Sequence, residues 1–170
     1  MSISVASKKD IPVLVALMDS AYRGELSTKG WANEANLFIG NKRTDEETLN
    51  KLIEKPGAVF LKYTNEHGEI EGCVFLQKKV DRLYLGMLSV SPLVQTKGIG
   101  KQLLNASHEH AQQQNCSSIY MTVITLRDNL IAWYERHGYT KTGEVLPFPV
   151  EEKFGIPTQS LELFILEKKI

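Results

Sequence analysis

Apolar and polar positions alternate in short blocks along this chain, and between the blocks apolar residues return every three or four positions. Ser2 to Ala6 is the first alternating block and predicts a short strand. Ser7-Lys8-Lys9-Asp10 has the form of a capping box, Pro12 suits a first helical turn, and Val13, Leu14, Leu17, Met18 and Ala21 recur at helical spacing. A helix ending near Gly24 is predicted. From Gly24 to Lys42 the periodicity is lost, and a loop carrying Trp31, Asn33, Glu34, Asn36 and Phe38 is expected. Thr44 with Glu47 gives a second capping-box pattern, and Leu49, Leu52 and Ile53 form the apolar side of a short helix that stops before Pro56-Gly57.

Three strand-like runs follow, Ala58 to Thr64, Ile70 to Lys78 and Arg82 to Val90, the first two joined by the turn composition Asn65-Glu66-His67-Gly68. They predict an antiparallel meander. Gly98 to Gln114 reads as a helix with Ile99, Leu103, Ala106 and Ala111 inward, and Ser118 to Thr125 as a strand buried on both faces. Asp128 is placed to cap a further helix, with Leu130, Ile131 and Tyr134 on its inner side and Gly138 at its end. Tyr139 to Val145 and Ser160 to Glu167 are the last strands. The connection between them, Leu146 to Gln159, holds Pro147, Pro149, Pro157, Phe148 and Phe154 and is too long for a simple turn. The expected fold class is α/β of the mixed α+β kind, one central sheet of about six to seven strands flanked by about four helices, with residues 1–170 as a single domain.

Composition narrows the function. Lys plus Arg equals Asp plus Glu at 20 each, so no global field recruits nucleic acid or an acidic membrane. No window approaches the ~20 apolar residues of a membrane span, and the start MSISVASKKD has no apolar leader core, so a cytoplasmic protein is expected. Cys73 and Cys116 lack CxxC spacing and read as two buried thiols. The four histidines, 67, 108, 110 and 137, share no ligand spacing and read as surface residues, so no metal is expected.

The chemistry concentrates at Val90-Ser91-Pro92-Leu93-Val94-Gln95-Thr96-Lys97-Gly98-Ile99-Gly100-Lys101. A phosphate-binding loop of the form GxxxxGK[ST] is excluded, because Gln95 replaces its first glycine and Gln102 its hydroxyl residue. A dinucleotide GxGxxG is excluded by Leu103 at the third glycine. A strand that runs into a helix start through glycines still presents unpaired amides and a positive dipole end to an anion, and a diphosphate suits it.

The run Gln95-Thr96-Lys97-Gly98-Ile99-Gly100 matches [QR]-x-x-G-x-[GA], and Asn129-Leu130-Ile131-Ala132-Trp133-Tyr134-Glu135-Arg136-His137-Gly138-Tyr139 is similar to N-x-x-A-x-x-x-Y-x-x-x-G-[FY], with one residue instead of three between the alanine and the tyrosine. Together, in this order, they resemble the two signature blocks of the GNAT superfamily of N-acetyltransferases, whose element order also agrees with the pattern from Ser2 to Glu167. The resemblance implies acetyl-CoA as co-substrate. It implies that amides from Gln95 and Thr96 through Lys97, Gly98, Ile99, Gly100 and Lys101 hold the pyrophosphate, and that the main chain of Leu88, Ser89 and Val90 pairs with the pantetheine arm. It further implies that Asn129 contacts that arm and that Tyr134 protonates the leaving thiolate, and it allows a homodimer.

Acetyl transfer asks the acceptor amine to lose a proton and the thiolate to gain one. For a lysine-like amine of pKa ~10.4 the uncharged form costs about 4 to 5 kcal/mol at neutral pH. Many relatives carry a carboxylate on the strand before the first block, whereas Tyr84-Leu85-Gly86-Met87-Leu88-Ser89-Val90 has none. Deprotonation is left to a water or to a carboxylate elsewhere, such as Glu34 or Glu71. Trp31, Phe148 and Phe154 are candidates for an apolar acceptor wall, with Glu34 attracting a cation, and the same aromatics are equally suited to packing the loops onto the core. No cysteine lies in either block to carry the acetyl group, so the expected function is direct transfer to a primary amine of a small molecule or peptide. The alternative is a non-catalytic acyl-CoA-binding module of the same fold.

Overall fold

The computed structural model of the chain describes residues 2–22, 37–39, 42–94, 97–150 and 154–170. Strand β1 (Ser2–Val5) leads through a 3-10 turn (Lys8–Asp10) into helix α1 (Ile11–Tyr22), and the Ser7 amide donates to the Asp10 carboxylate at 2.9 Å. A two-residue strand β2 (Phe38–Ile39) precedes helix α2 (Glu46–Ile53). The meander comes next as β3 (Ala58–Thr64), β4 (Ile70–Lys79) and β5 (Arg82–Val90). Helix α3 (Ile99–Gln113), strand β6 (Ser118–Ile124), helix α4 (Asp128–Arg136) and strands β7 (Thr140–Pro147), β8 (Ile156–Pro157) and β9 (Glu162–Lys169) complete it. The seven-stranded sheet has the order β1-β3-β4-β5-β6-β9-β7, antiparallel throughout except for β5 beside β6.

Alternation along the strands divides the core into two layers. Phe60, Cys73 and Phe75 face α1 and α2, where Leu14, Met18 and Leu49 close over them. Leu61, Val74, Leu76, Leu83 and Leu85 face the opposite side, with Ile99 and Leu103 of α3 and Ile131 and Tyr134 of α4. Gly72 lets α3 seat closely, because a Cβ there would lie 2.8 Å from Ile99 Cγ2 and 3.0 Å from Leu103 Cδ1.

Strand β5 carries one irregularity. Gly86 pairs with Phe75 and Ser89 with Cys73, so Val74 alone opposes both Met87 and Leu88, and Met87 takes φ +54°. The extra residue is a bulge. It shifts the alternation by one, so that Leu88 and Val90 join Leu83 and Leu85 in the same layer while Ser89 turns to the other.

Several sequence expectations change. The cap of α2 is Asp45, whose carboxylate accepts from the Thr48 amide at 2.8 Å, and Thr44 is not part of a capping box. Arg127, not Asp128, is the N-cap residue of α4, and Asp128 is its first helical residue. The small ribbon of β2 with β8 leaves no signal in the sequence, since two-residue strands carry no periodicity. Both cysteines are buried and free, as expected. Of the histidines only His67 is fully exposed: His108, His110 and His137 are half-buried, and His137 Nδ1 lies 2.7 Å from the Trp133 carbonyl oxygen.

Candidate active site

Strands β5 and β6 pair only at Arg82 to Tyr84 with Ser118 to Tyr120 and then part. Beyond that point the outer edge of β5 stays bound to β4, and β9 holds the outer edge of β6 as far as Ile124. The two inner edges, Leu85 to Leu88 and Met121 to Ile124, therefore face each other across a cavity of about 300 Å³. A ligand that is long, narrow and rich in amides suits a slot with strand edges on both sides.

Helix α3 follows β5 in the chain, and its Ile99 packs in the same core layer as Leu88 and Val90. Its N-cap Gly98 has φ +71° and ψ 19°, the left-handed region in which a side chain costs energy, although a Cβ there would meet nothing within 4 Å. The first backbone bond of the helix runs from the Gln102 amide to the Gly98 carbonyl at 3.1 Å. The amides of Ile99, Gly100 and Lys101 therefore precede the intrahelical ladder, and the first turn carries no acidic residue. Lys97 and Lys101 lie beside these amides in the chain and add positive charge. Gln95 and Thr96 lie outside the described residues.

Tyr134 lines the cavity from α4 and is 4% exposed. The end of α4 positions it. The Tyr139 amide donates to the Tyr134 carbonyl at 3.2 Å and the Gly138 amide to the Glu135 carbonyl at 3.1 Å, with Gly138 at φ +96°. These are the two bonds of a Schellman motif, and its usual apolar contact is here the Tyr139 ring 5.9 Å from the Tyr134 ring. Burial holds the Tyr134 hydroxyl well above the ordinary tyrosine range, the nearby Tyr22 and Tyr139 hydroxyls act in the same direction, and the Arg127 guanidinium opposes them. At neutral pH it is protonated. Asn129 is exposed in the first turn of the same helix and is not part of the cavity wall.

The main chain of β5 is partly engaged already. Tyr22 at the end of α1 donates its hydroxyl to the Leu88 carbonyl, and Ser89 Oγ donates to the Met87 carbonyl at 2.9 Å. Tyr84 is brought to the cavity by its neighbour: the ring lies over Gly86, where a Cβ would stand 2.7 Å from the tyrosine oxygen. Burial raises the Tyr84 pKa, while Arg43 and a hydrogen bond with Thr122 act the other way.

Phe148 and Phe154 line the cavity, and Phe148 also packs against Phe38 at 5.3 Å between centroids. Phe148 thus serves as wall and as packing at once. Trp31 and Glu34 lie outside the described residues, and Glu71, on β4, is not in the cavity wall. Among the described residues lining the cavity there is no aspartate or glutamate, whereas Arg43 and Arg127 both are there. Sequence reasoning missed Tyr22, Arg43, Thr44, Tyr84 and Arg127. Only Tyr84 left a trace, as a large polar aromatic two positions before a glycine in a strand.

The cavity between the parting strands is thus lined by a buried tyrosine, and the helix that follows β5 in the chain starts with amides ahead of its hydrogen-bond ladder. The family model for the acetyltransferase (GNAT) family matches residues 26–139, and the chain belongs to that family. The Bacillus subtilis protein YdhI is 33% identical over 88 residues, 52% of this chain and 53% of that protein. An acetyltransferase of Agrobacterium fabrum is 32% identical over 65 residues, 38% of this chain and 46% of that one. The chain thus spans about half the length of the curated relatives it matches. Among solved structures, ribosomal-protein-alanine N-acetyltransferase from Brucella melitensis shares the fold over 100% of both chains, with a TM-score of 0.74 at 20% identity. The yncA structure from Salmonella typhimurium, determined with its cofactor acetyl-CoA, has a TM-score of 0.70 at 16% identity over 99% of this chain and 93% of that one. No described helix is long and apolar enough to cross a membrane, and no group of three or more metal-ligating side chains occurs among the described residues.

Proposed function

We propose that the chain transfers an acetyl group from acetyl-CoA directly to a primary amine held in the cavity between β5 and β6. The observation that carries this reading is the cavity where β5 and β6 part, with the buried Tyr134 in its lining, and the open helix start that follows β5 in the chain supports it. The residues present fit acetyl-CoA. A diphosphate would lie against the amides of Ile99, Gly100 and Lys101, where the Gly98 turn lets it approach the backbone and the helix dipole favours its charge. The amide-bearing arm would run along the inner edges of β5 and β6, with Leu88, Ser89 and Val90 offering main chain and Asn129 a polar side chain from the first turn of α4.

Tyr134 supplies the proton to the departing thiolate. Its burial keeps that proton in place until a negative charge develops beside it, as a general acid requires. A β5 amide near the bulge stabilises the negative charge on the thioester oxygen. With no carboxylate among the described lining residues, the acceptor proton goes to a water or to a carboxylate from elsewhere, such as Glu34.

The test is thiol release from acetyl-CoA with a panel of amines. Tyr134→Phe should lower kcat by about 10²- to 10⁴-fold, the range of a lost general acid, while leaving CoA affinity within about twofold. Unchanged turnover in this variant would remove Tyr134 from the reaction.

A further inference from the structure

The part of the cavity wall formed by α1 and the segment leading into α2 has a chemistry that acetyl-CoA, lying along the strand edges and the start of α3, leaves unused. Thr44 is 1% exposed, lines the cavity, and its Oγ1 has no hydrogen-bond partner. A buried hydroxyl without a partner is destabilising, so its retention at a cavity wall points to a partner that arrives with a ligand.

Arg43 stands beside it. The Arg43 guanidinium lies 5.3 Å from the centre of the Tyr22 ring and close enough to Tyr84 to lower that hydroxyl's pKa against the effect of burial. It forms no ion pair with a carboxylate among the described residues. Asp19 of α1 contacts the main chain of this segment: its Oδ1 accepts from the backbone amides of Arg43 and of Thr44, the latter at 3.1 Å, and Asp45 caps α2 through the Thr48 amide. The Asp19 carboxylate fixes the backbone of both residues and thereby aims their side chains. Thr48, one turn into α2, and Tyr84 line the same wall, as does Tyr22, whose hydroxyl is already donated to the Leu88 carbonyl.

A lone guanidinium, an unpartnered hydroxyl and further hydroxyl residues form a donor set, and donors of this kind select an oxyanion with several acceptor oxygens. Arg127 adds a second positive charge to the same cavity. The cavity, at about 300 Å³, lies at the lower end of small-molecule sites and must also admit the end of the acyl-carrying arm. A cationic amine such as a polyamine would meet charges of its own sign.

We propose that the acceptor is a small amine that also carries an anionic group, a carboxylate or phosphonate, which seats on Arg43 and Thr44 while its amine points toward the gap at Tyr134. This rests on the acetyltransferase reading and narrows its substrate class. Arg43 and Thr44 act here as binding and specificity residues and take no proton in the reaction.

The experiment uses the full chain and matched acceptors: L-amino acids against their carboxamides, aminoalkylphosphonates against the corresponding alkylamines, and spermidine as a cation. Thiol release gives kcat/KM, and calorimetric titration with CoA is run separately on every variant. The acidic member of each pair should be preferred by about tenfold or more, as for a site built to bind a group that the analogue lacks. Arg43→Met should bring that ratio close to one, mainly through KM, and Thr44→Val should reduce it in the same direction by a smaller factor. Equal use of acidic and neutral acceptors, a preference for spermidine, a preference untouched by Arg43→Met, or CoA binding without turnover of any acidic amine would each overturn the proposal while leaving a CoA site in place. Failure of CoA to bind would instead strike the acetyltransferase reading itself, and this inference with it.

Discussion

Replacing Gly72 by alanine tests whether the seat of α3 depends on a missing side chain. The new Cβ would stand 2.8 Å from Ile99 Cγ2, 3.0 Å from Leu103 Cδ1 and 3.3 Å from the Ser89 carbonyl oxygen. Neither side chain has room to withdraw, because Ile99 and Leu103 are both 0% exposed. Overpacking of this kind costs about 1–3 kcal/mol. Alanine recovers about 0.5–1 kcal/mol of that through the smaller backbone freedom it has to lose in a strand. The difference spans about 0–2.5 kcal/mol and centres a little above 1, which for a chain of this length lowers the thermal midpoint by about 2–5 °C. The relief must come from movement of the first turns of α3, so the amides of Ile99, Gly100 and Lys101 move with it and CoA affinity should fall in the same variant. Thermal melts followed by circular dichroism read the first effect and calorimetric titration the second. A double variant isolates the cause: Leu103→Ala alone should cost about 2–5 kcal/mol, and Gly72→Ala on that background should cost less than in the native chain, because its Cβ enters space that Leu103 has left. A Gly72→Ala protein as stable as the native one, with undiminished CoA binding, would refute the packing argument.

Two further variants probe separate links. Gly98→Ala adds a Cβ that touches nothing but forces a side chain into φ +71°, so it should lose about 1–2 kcal/mol and weaken CoA binding, and Gly98→Asn should recover part of both, as thermal melts and titration will read. Cys73 is buried beside Ser89, and burial pushes its thiol up to about 12 while the Ser89 hydrogen bond acts against it. The unfolded chain binds fewer protons than the folded one once pH exceeds about 9, so stability is intact below that value and falls by about 1.4 kcal/mol per unit as pH rises toward 12. Urea titrations at pH 8.5 and pH 10 should show the decline, and Cys73→Ala should make it shallower.

The two signature blocks are legible because each fixes backbone rather than side-chain geometry. Gly98 stands out in sequence because a left-handed N-cap admits few other residues, and Tyr134, Gly138 and Tyr139 stand out because a Schellman motif needs glycine at one position and favours an apolar pair around it. The meander of β3, β4 and β5 is legible from period-two alternation, and its bulge is also written there, in the slip from Leu83 and Leu85 to Leu88 and Val90. That slip escapes a reading of the sequence, because a one-residue change of phase is small against the noise of a nine-residue strand.

Thr44 shows the opposite case. Its position three residues before Glu47 reads as a helix cap, and Asp45 meets the same local need one residue later with a carboxylate that accepts more strongly. Which of two adjacent candidates caps a helix depends on where the incoming chain is tied, and here Asp19, more than twenty residues upstream, ties it. The same long-range bond brings Thr44 and Arg43 to the cavity. Local propensity and spacing therefore specified the elements, the glycine-started helix α3 and the buried tyrosine, since each depends on neighbours within one or two turns. The parting of β5 from β6, the absence of carboxylates among the described lining residues, and the meeting of Tyr22, Arg43, Thr44 and Tyr84 come from segments distant in sequence, and their order in space is set by sheet register and by which helices pack on which face.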